Sequence, residues 1–230
     1  MKFLRKSAQL DLPGIIYGLP KIHKSGYPLR PIISSSGTYN YNLSKFIDSL
    51  IKPLLVNSKY ILNDTFDFIN KLSKVNFAGM YMVSFDVDSL FTNIPLEETI
   101  DILCKIIFDT AKTFHGFTEN QFRKLLKKAT KESHFQFIDM VFDQIDGMAM
   151  GNPLSPTFAN FFMNWFECKY MKEFEALGVV TWFRYVDDTF VLIKDLKVVD
   201  QLLNLMNSKH KNIKFTCEIE KNKNWLFWMF

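Results

Sequence analysis

Residues 179–193 read VVTWFRYVDDTFVLI, and this stretch decides the fold. Two apolar runs, 179–185 and 189–193, flank Val186, Asp187 and Asp188, which predicts a β-hairpin with two carboxylates at its tip. Carboxylates beside buried strands are costly unless they are paired or bound to a metal. The alternative interpretation is ordinary turn chemistry, because Asp commonly occupies turns.

A third carboxylate follows another predicted strand. Residues 79–85 form a short and nearly apolar run, which predicts a buried strand, and Asp86 follows directly. If this strand neighbours the hairpin, Asp86 lies close to Asp187 and Asp188, and three close carboxylates repel one another unless cations are present. Such oxygen ligands suit Mg²⁺, and two ions can serve an in-line phosphoryl displacement. Because side chains alternate along a strand, Asp187 is the preferred ligand, with Asp188 in support.

Other segments predict further strands. Residues 15–22 and 28–35 are extended segments joined by a turn at Ser25 and Gly26, and prolines 28 and 31 place the second segment at a sheet edge. Residues 135–145 predict a short hairpin. Residues 213–219 alternate between apolar and polar side chains, which indicates a half-exposed strand.

Helices are predicted between these strands. Asp64 is a candidate N-cap, Pro95 opens an amphipathic helix, and Thr118 with Gln121 resembles a capping box. Ser155 begins a helix with an aromatic stripe, which consists of Phe158, Phe161, Phe162, Trp165 and Phe166.

Composition excludes several classes of protein. The chain has 230 residues, of which 48% are hydrophobic and 23% charged, so it is not a disordered chain. No apolar run is long enough for a transmembrane helix, no signal peptide is visible, and three scattered cysteines indicate neither a disulfide framework nor a zinc knuckle. We therefore expect a reducing, intracellular protein. The net charge of +4 is compatible with a polyanionic partner.

Five ordered motifs then carry a resemblance to a known family. The stretches FDVDSLF (85–91) and YVDD (185–188) resemble the palm motifs of reverse transcriptases, and GMAMGNPLSP (147–156) resembles their template and nucleotide loop. GLPKIHK (18–24) and PLRPI (28–32) resemble the two fingers motifs. The resemblance covers about residues 15–228, and the strings are similar to Penelope-like retroelements, which are relatives of telomerase.

The resemblance implies an α+β fold with the fingers and palm of a right-hand polymerase, in which helices back an antiparallel palm sheet. It implies a fingers-like region with an N-terminal segment at 1–78 and a palm at 79–230, with a fingers-like helical insertion at about 96–134. The family continues after Asn224 with an LPFLD-like stretch, whereas this chain reads WLFWMF. We therefore expect a single, C-terminally truncated reverse transcriptase domain whose thumb is largely absent.

The resemblance also implies an enzyme, an RNA-directed DNA polymerase that adds dNTPs to a primer 3′-hydroxyl. Its cofactors are two Mg²⁺ ions, with Mn²⁺ as a substitute, held by Asp86, Asp187, Asp188 and the Val87 carbonyl. Its partners are an RNA template, a DNA primer and dNTPs, with no membrane, and its location is nuclear. An inactive, truncated remnant that at most binds nucleic acid stays open as the alternative.

Further residues match the substrate-binding positions of the family. Phe91 corresponds to the aromatic gate that excludes a 2′-hydroxyl, although a core phenylalanine is the plainer interpretation. Lys21 and Arg30 match the positions that clamp the triphosphate, and Met150 and Gly151 lie in the nucleotide loop. Val87, in the palm motif at 85–91, is a further substrate-binding residue. Phe91 argues against an RNA-templated RNA polymerase. Arg184 either contacts the primer backbone or pairs with an acid.

Overall fold

The computed structural model describes residues 13–22, 26–55, 58–131 and 133–219. The strands are β1 (Gly14–Pro20), β2 (Leu29–Ser34), β3 (Tyr81–Val87), β4 (His134–Phe137), β5 (Met140–Asp143), β6 (Val179–Tyr185), β7 (Asp188–Ile193) and β8 (Phe215–Ile219). The helices are α1 (Tyr41–Ile51), α2 (Thr65–Leu72), α3 (Leu90–Asn93), α4 (Leu96–Phe108), α5 (Glu119–Lys131), α6 (Ser155–Ala176) and α7 (Val199–Lys209). Short 3₁₀ helices span Lys52–Leu55 and Leu196–Val198.

The chain divides into two compact units. The first combines Met1–Val56 with Phe91–Phe162, and the second combines Asn57–Leu90 with Met163–Phe230. Helix α6 therefore contributes its first eight residues to one unit and the rest to the other. The expected division at residue 78 into a fingers-like region and a palm stays a prediction.

The first unit contains a four-stranded sheet in the order β2-β1-β4-β5. Strands β1 and β2 are antiparallel, with Tyr17 opposite Ile32, and β4 and β5 form the expected hairpin. Strand β2 is an edge strand, as Pro31 within it and Pro28 just before it predict, because a proline has no N–H to give to a sheet. Both predicted hairpins are therefore confirmed, although Ser25 of the first turn lies outside the described residues.

The first unit also has a helical core. Helices α4 and α5 pack against each other, and ion pairs lie on their exposed sides, where Glu97 contacts Lys127 at 3.0 Å and also pairs with Lys131. Apolar residues at helical spacing fill the buried sides, which are Ile100, Leu103, Ile107, Phe122 and Leu126. The capping box at Thr118 is confirmed in part, because its backbone N–H donates to the Gln121 side chain at 3.0 Å.

The second unit is built on a sheet in the order β6-β7-β3-β8, in which every pairing is antiparallel. Helix α6 packs on one face through Phe166 of the predicted aromatic stripe and through Phe174, further along the helix. Phe166 contacts Phe215 of β8 at 5.6 Å between ring centroids, and Phe174 stacks on Trp182 of β6 at 5.6 Å. Val83 and Phe85 of β3 are buried in this unit.

Helix α2 covers part of the opposite face. Phe68 contacts Phe190 of β7 at 5.3 Å and Phe183 of β6 at 6.4 Å between ring centroids. Asp64 caps this helix as predicted, because its carboxylate accepts the Asp67 backbone N–H at 2.8 Å. The expected α+β fold, with an antiparallel sheet backed by helices, is therefore confirmed.

None of the helices in the described part of the chain is long and apolar enough to cross a membrane. The departure from the family after Asn224 cannot be compared with the fold, because residues 220–230 lie outside the described ranges.

Candidate active site

The acidic residues of the second unit meet at one end of its sheet. Strand β3 pairs with β7 so that Asp86 lies directly opposite Asp188, and the Val87 backbone N–H donates to the Asp187 carbonyl at 3.2 Å. Opposite residues of an antiparallel pair share a face of the sheet with their Cβ atoms about 5 Å apart. The structure therefore brings Asp86 and Asp188 together on one face, with Asp187 in the adjoining turn.

Electrostatics in this cluster disfavour charge on Asp188. Burial raises the pKa of Asp188 to about 7, and the negative charges of Asp187, Asp86 and Glu218 add to the shift. A cation near these carboxylates would restore the charged form, because opposite charge lowers a carboxyl pKa. None of the sequence motifs identified Glu218 as a site residue. The alternation of residues 213–219 nevertheless placed it among the polar side chains of the strand that the structure shows as β8.

The cluster fits a metal that relies on few protein ligands. Among the described residues, no group of three or more His, Cys, Asp or Glu side chains is arranged to hold a metal ion by itself. Mg²⁺ usually takes one or two carboxylates and completes its shell with water and substrate phosphates. Asp86 and Asp188 on one face, with Asp187 beside them, supply donors of that kind.

Arg184 pairs with an acid, which resolves the alternative that its sequence context left open. Its guanidinium donates from Nε to Oε1 of Glu167 at 2.6 Å and from Nη2 to Oε2 at 3.2 Å, and both side chains are completely buried. A buried guanidinium cannot reach a primer backbone. Glu167 was missed by the sequence reasoning, although it is the first acidic residue of α6 within an apolar stretch.

The nucleotide loop of the motif comparison lies in the first unit, and backbone hydrogen bonds fix it there. The Met148 N–H donates to the Phe91 carbonyl at 2.7 Å, and the Ile33 N–H donates to the Met150 carbonyl at 2.9 Å. The Ser35 hydroxyl donates to the Gly151 carbonyl at 2.6 Å. The loop is thus tied to Phe91 through Met148, to β2 through Met150, and to Ser35, the residue after β2, through Gly151.

Gly151 is required at its position for two reasons. Its φ of 122° lies in a region that side chains rarely adopt, and a Cβ there would lie within 3.0 Å of the Ile33 carbonyl oxygen. The loop can therefore approach β2 closely only with glycine at this position.

The two predicted phosphate-binding cations lie on the β1–β2 hairpin. Arg30 of β2 is exposed and faces Leu19 in the register, while Lys21 follows β1 and its backbone N–H donates to the Pro28 carbonyl at 2.9 Å. Both residues therefore lie near the turn end of the same hairpin. They belong to the first unit, together with Phe91, Met150 and Gly151, whereas Val87 and the three aspartates belong to the second.

Comparison of the fold with solved structures gives polymerases. Telomerase from Candida tropicalis, in complex with a telomeric RNA fragment, superposes with a TM-score of 0.66 at 12% identity, covering 92% of this chain and 41% of that one. Telomerase from Candida albicans gives 0.67 at 11% identity, covering 92% and 43%. The BmCPV RNA-dependent RNA polymerase gives 0.61 at 12% identity, covering 95% and 21%. The chain thus spans less than half the length of these polymerases.

Sequence comparison gives the family directly. No curated protein sequence matches the chain significantly. The model of the family described as "Reverse transcriptase (RNA-dependent DNA polymerase)" matches residues 22–226, which is most of the chain. This span includes the acidic end of the palm-like sheet and the loop that carries Met150 and Gly151. The chain belongs to the reverse transcriptase family.

Proposed function

We propose that the chain is the RNA-directed DNA polymerase domain of a Penelope-like retroelement. It extends a DNA primer on an RNA template with dNTPs by two-metal phosphoryl transfer. The observation that carries the proposal is the register of β3 and β7, which sets Asp86 opposite Asp188 beside the Asp187 turn. Family membership supports the same reaction class.

The acidic residues share one task in this reaction, which is to hold the metal ions. The carboxylates of Asp86, Asp187 and Asp188, with the Val87 carbonyl, hold the cations, for which Mn²⁺ can replace Mg²⁺. When bound, these ions activate the primer 3′-hydroxyl and neutralise charge on the leaving pyrophosphate. The rest of catalysis is positioning and electrostatic stabilisation by the protein.

The residues of the first unit select and hold the nucleotide. The cations Lys21 and Arg30 bind the triphosphate, and Arg can do so through two parallel hydrogen bonds. The Phe91 ring fills the space that a 2′-hydroxyl would need. Met150 and Gly151 line the nucleotide, since a residue without a side chain lets the backbone approach it closely.

Primer extension on an RNA template with dNTPs and Mg²⁺ tests the reaction. We expect Asp86→Asn and Asp187→Asn to reduce extension to background, whereas Asp139→Asn, in the exposed turn between β4 and β5, should extend like the wild type. Equal extension by Asp187→Asn would refute the assignment. Binding of a hybrid without nucleotide incorporation by well-folded wild type would favour the inactive remnant instead.

Nucleotide competition tests the role of Phe91. Removing the ring should lower the preference for dNTPs over rNTPs by about 10- to 200-fold, which is the range for a small steric difference in a pocket. Phe142→Ala, on the exposed β5 strand, is the matched control. An unchanged preference in Phe91→Ala would make Phe91 a core residue only. The nuclear location and the fingers and palm boundaries stay predictions.

A further inference from the structure

The Arg184 guanidinium donates hydrogen bonds to two partners inside the second unit. It donates twice to the carboxylate of Glu167, and from Nη1 to the Val186 carbonyl at 2.9 Å. Its backbone is held as well, because its N–H donates to the Tyr60 carbonyl at 2.8 Å and its carbonyl accepts the Leu62 N–H at 2.8 Å. Hydrogen bonds therefore hold both the backbone and the guanidinium of Arg184, independently of the contact with Val186.

Glu167 anchors the guanidinium from helix α6. Besides Arg184, its Oε1 atom accepts the indole N–H of Trp182 at 2.9 Å, and its side chain is completely buried. Buried ion pairs contribute little net stability compared with well-packed apolar side chains, because both charges lose their hydration. The pair therefore calls for a role other than stability.

The turn that Arg184 contacts is strained. Val186 has a φ of 57°, which is an outlier for a β-branched residue. Strained backbone persists only where the surrounding structure holds it, and such positions cluster at functional sites. The next residue, Asp187, accepts the Val87 N–H through its carbonyl, so the turn is linked on one side to Arg184 and on the other to β3.

We propose that Arg184 is a positioning residue of the acidic site. Its guanidinium, anchored by Glu167, holds the Val186 carbonyl and so keeps Asp187 and Asp188 aligned with Asp86. The inference rests on the proposed function only in taking these three aspartates to bind metal. Its first test therefore needs neither metal nor activity.

Amide hydrogen exchange in metal-free protein provides that test. In Arg184→Lys a single ammonium nitrogen replaces the three guanidinium nitrogens that contact Glu167 and the Val186 carbonyl from separate positions. We expect exchange at the Val87 N–H to accelerate by at least about 10-fold relative to amides near Val83, at the far end of the same strand. Equal acceleration at Val87 and near Val83 would indicate that the whole strand is destabilised, and it would overturn the proposal.

Trp182→Phe is the matched control for this measurement. It also removes one hydrogen bond to Glu167, but Trp182 makes no contact with the Val186 carbonyl in the hydrogen-bond network described above. We expect this variant to alter exchange along β3 evenly. A selective effect at Val87, equal to that of Arg184→Lys, would contradict the assignment to Arg184.

Binding of Mn²⁺ alone, followed by water proton relaxation, gives the second readout. Loss of a group that orients metal ligands typically weakens metal affinity by about 10- to 100-fold. We expect Arg184→Lys to bind Mn²⁺ at least about 10-fold more weakly than wild type, and Trp182→Phe to bind it with near wild-type affinity. In primer extension kcat should fall, while KM for dNTP stays within about twofold, because Lys21 and Arg30 are untouched.

A paired replacement covers the case in which Arg184→Lys does not fold. Arg184→Met with Glu167→Leu removes both buried charges together and leaves neither partner alone. Folded protein with slow Val87 exchange and wild-type Mn²⁺ affinity would overturn the inference. The wild type could also fail to bind Mn²⁺ and to extend primers, while Arg184→Lys still accelerates exchange selectively at Val87. That result would support the positioning role and refute the proposed function.

Discussion

Gly147 offers a quantitative test of how the nucleotide loop is built. Its φ is 72°, and a Cβ added there would lie well within 3.0 Å of the carbonyl oxygen of Thr92. The obstacle is backbone rather than a flexible side chain, so one of the two segments must move. The neighbouring residue, Met148, donates its N–H to the Phe91 carbonyl at 2.7 Å, and this hydrogen bond would be disturbed by the movement.

The expected cost of Gly147→Ala has two parts. Alanine in the left-handed region costs about 1–2 kcal/mol relative to glycine. Loss of the Met148 hydrogen bond at a buried position adds about 1–3 kcal/mol, since a buried donor is left unsatisfied. We therefore expect a decrease of about 3 kcal/mol in the free energy of unfolding.

The chain contains its own controls. Gly37 and Gly116 have φ values of 85° and 83°, and a Cβ at either would meet nothing within 4 Å. Gly37→Ala and Gly116→Ala should therefore show only the conformational part, about 1–2 kcal/mol. Urea unfolding followed by far-ultraviolet circular dichroism measures all three variants at comparable m-values. A cost for Gly147→Ala within about 0.5 kcal/mol of Gly116→Ala would refute the close approach to Thr92, given the uncertainty of the extrapolation.

Three further predictions concern single carboxylates. Burial and neighbouring charge raise the pKa of Asp188 to about 7 against an ordinary value of 3.8. The free energy of unfolding of metal-free wild type should therefore fall as pH rises from about 4 to about 7, by ~2 kcal/mol once the partial solvent exposure of the carboxyl is allowed for. Asp188→Asn should abolish this fall, as urea titrations at pH 5 and 8 in chelator can show, and an equal fall in both proteins would contradict it. Glu97→Gln loses exposed ion pairs to Lys127 and Lys131, so it should cost at most ~1 kcal/mol, and the cost should vanish in 1 M salt. Asp64→Ala should cost ~1 kcal/mol at any ionic strength, because the loss is a helix cap rather than a surface charge.

Local periodicity predicted most of the elements. The hairpin at 179–193, the aromatic stripe of α6 and the strand at the end of the described chain each depend on neighbours within a few residues, so their patterns are visible in the sequence. Element ends were less well predicted. Strand β8, for example, begins at Phe215, two residues after the start of the alternation at 213.

Contacts between residues distant in the sequence were harder to predict from local patterns. Alternation along a strand indicated that Asp187 and Asp188 differ in direction and favoured Asp187 as the ligand, but it carried no information on which residue lies opposite Asp86. That is set by the register between β3 and β7, which gives the place to Asp188. The pairing of Arg184 with Glu167 joins positions 17 residues apart on different elements, and no periodicity in the sequence connects them.

Local preference and observed backbone disagree most at Val186. A valine favours the extended strand that its neighbours form, yet here it adopts a φ of 57° in a tight turn. Propensity alone would choose glycine or asparagine at such a position. The conflict is tolerated because the Arg184 guanidinium donates to the Val186 carbonyl, and the Val87 N–H donates to the Asp187 carbonyl. A strained residue held from two sides fixes the backbone more tightly than a relaxed turn would, since every alternative conformation must break one of these bonds. The strain therefore lies where precise placement of Asp187 and Asp188 has the greatest value for the proposed chemistry.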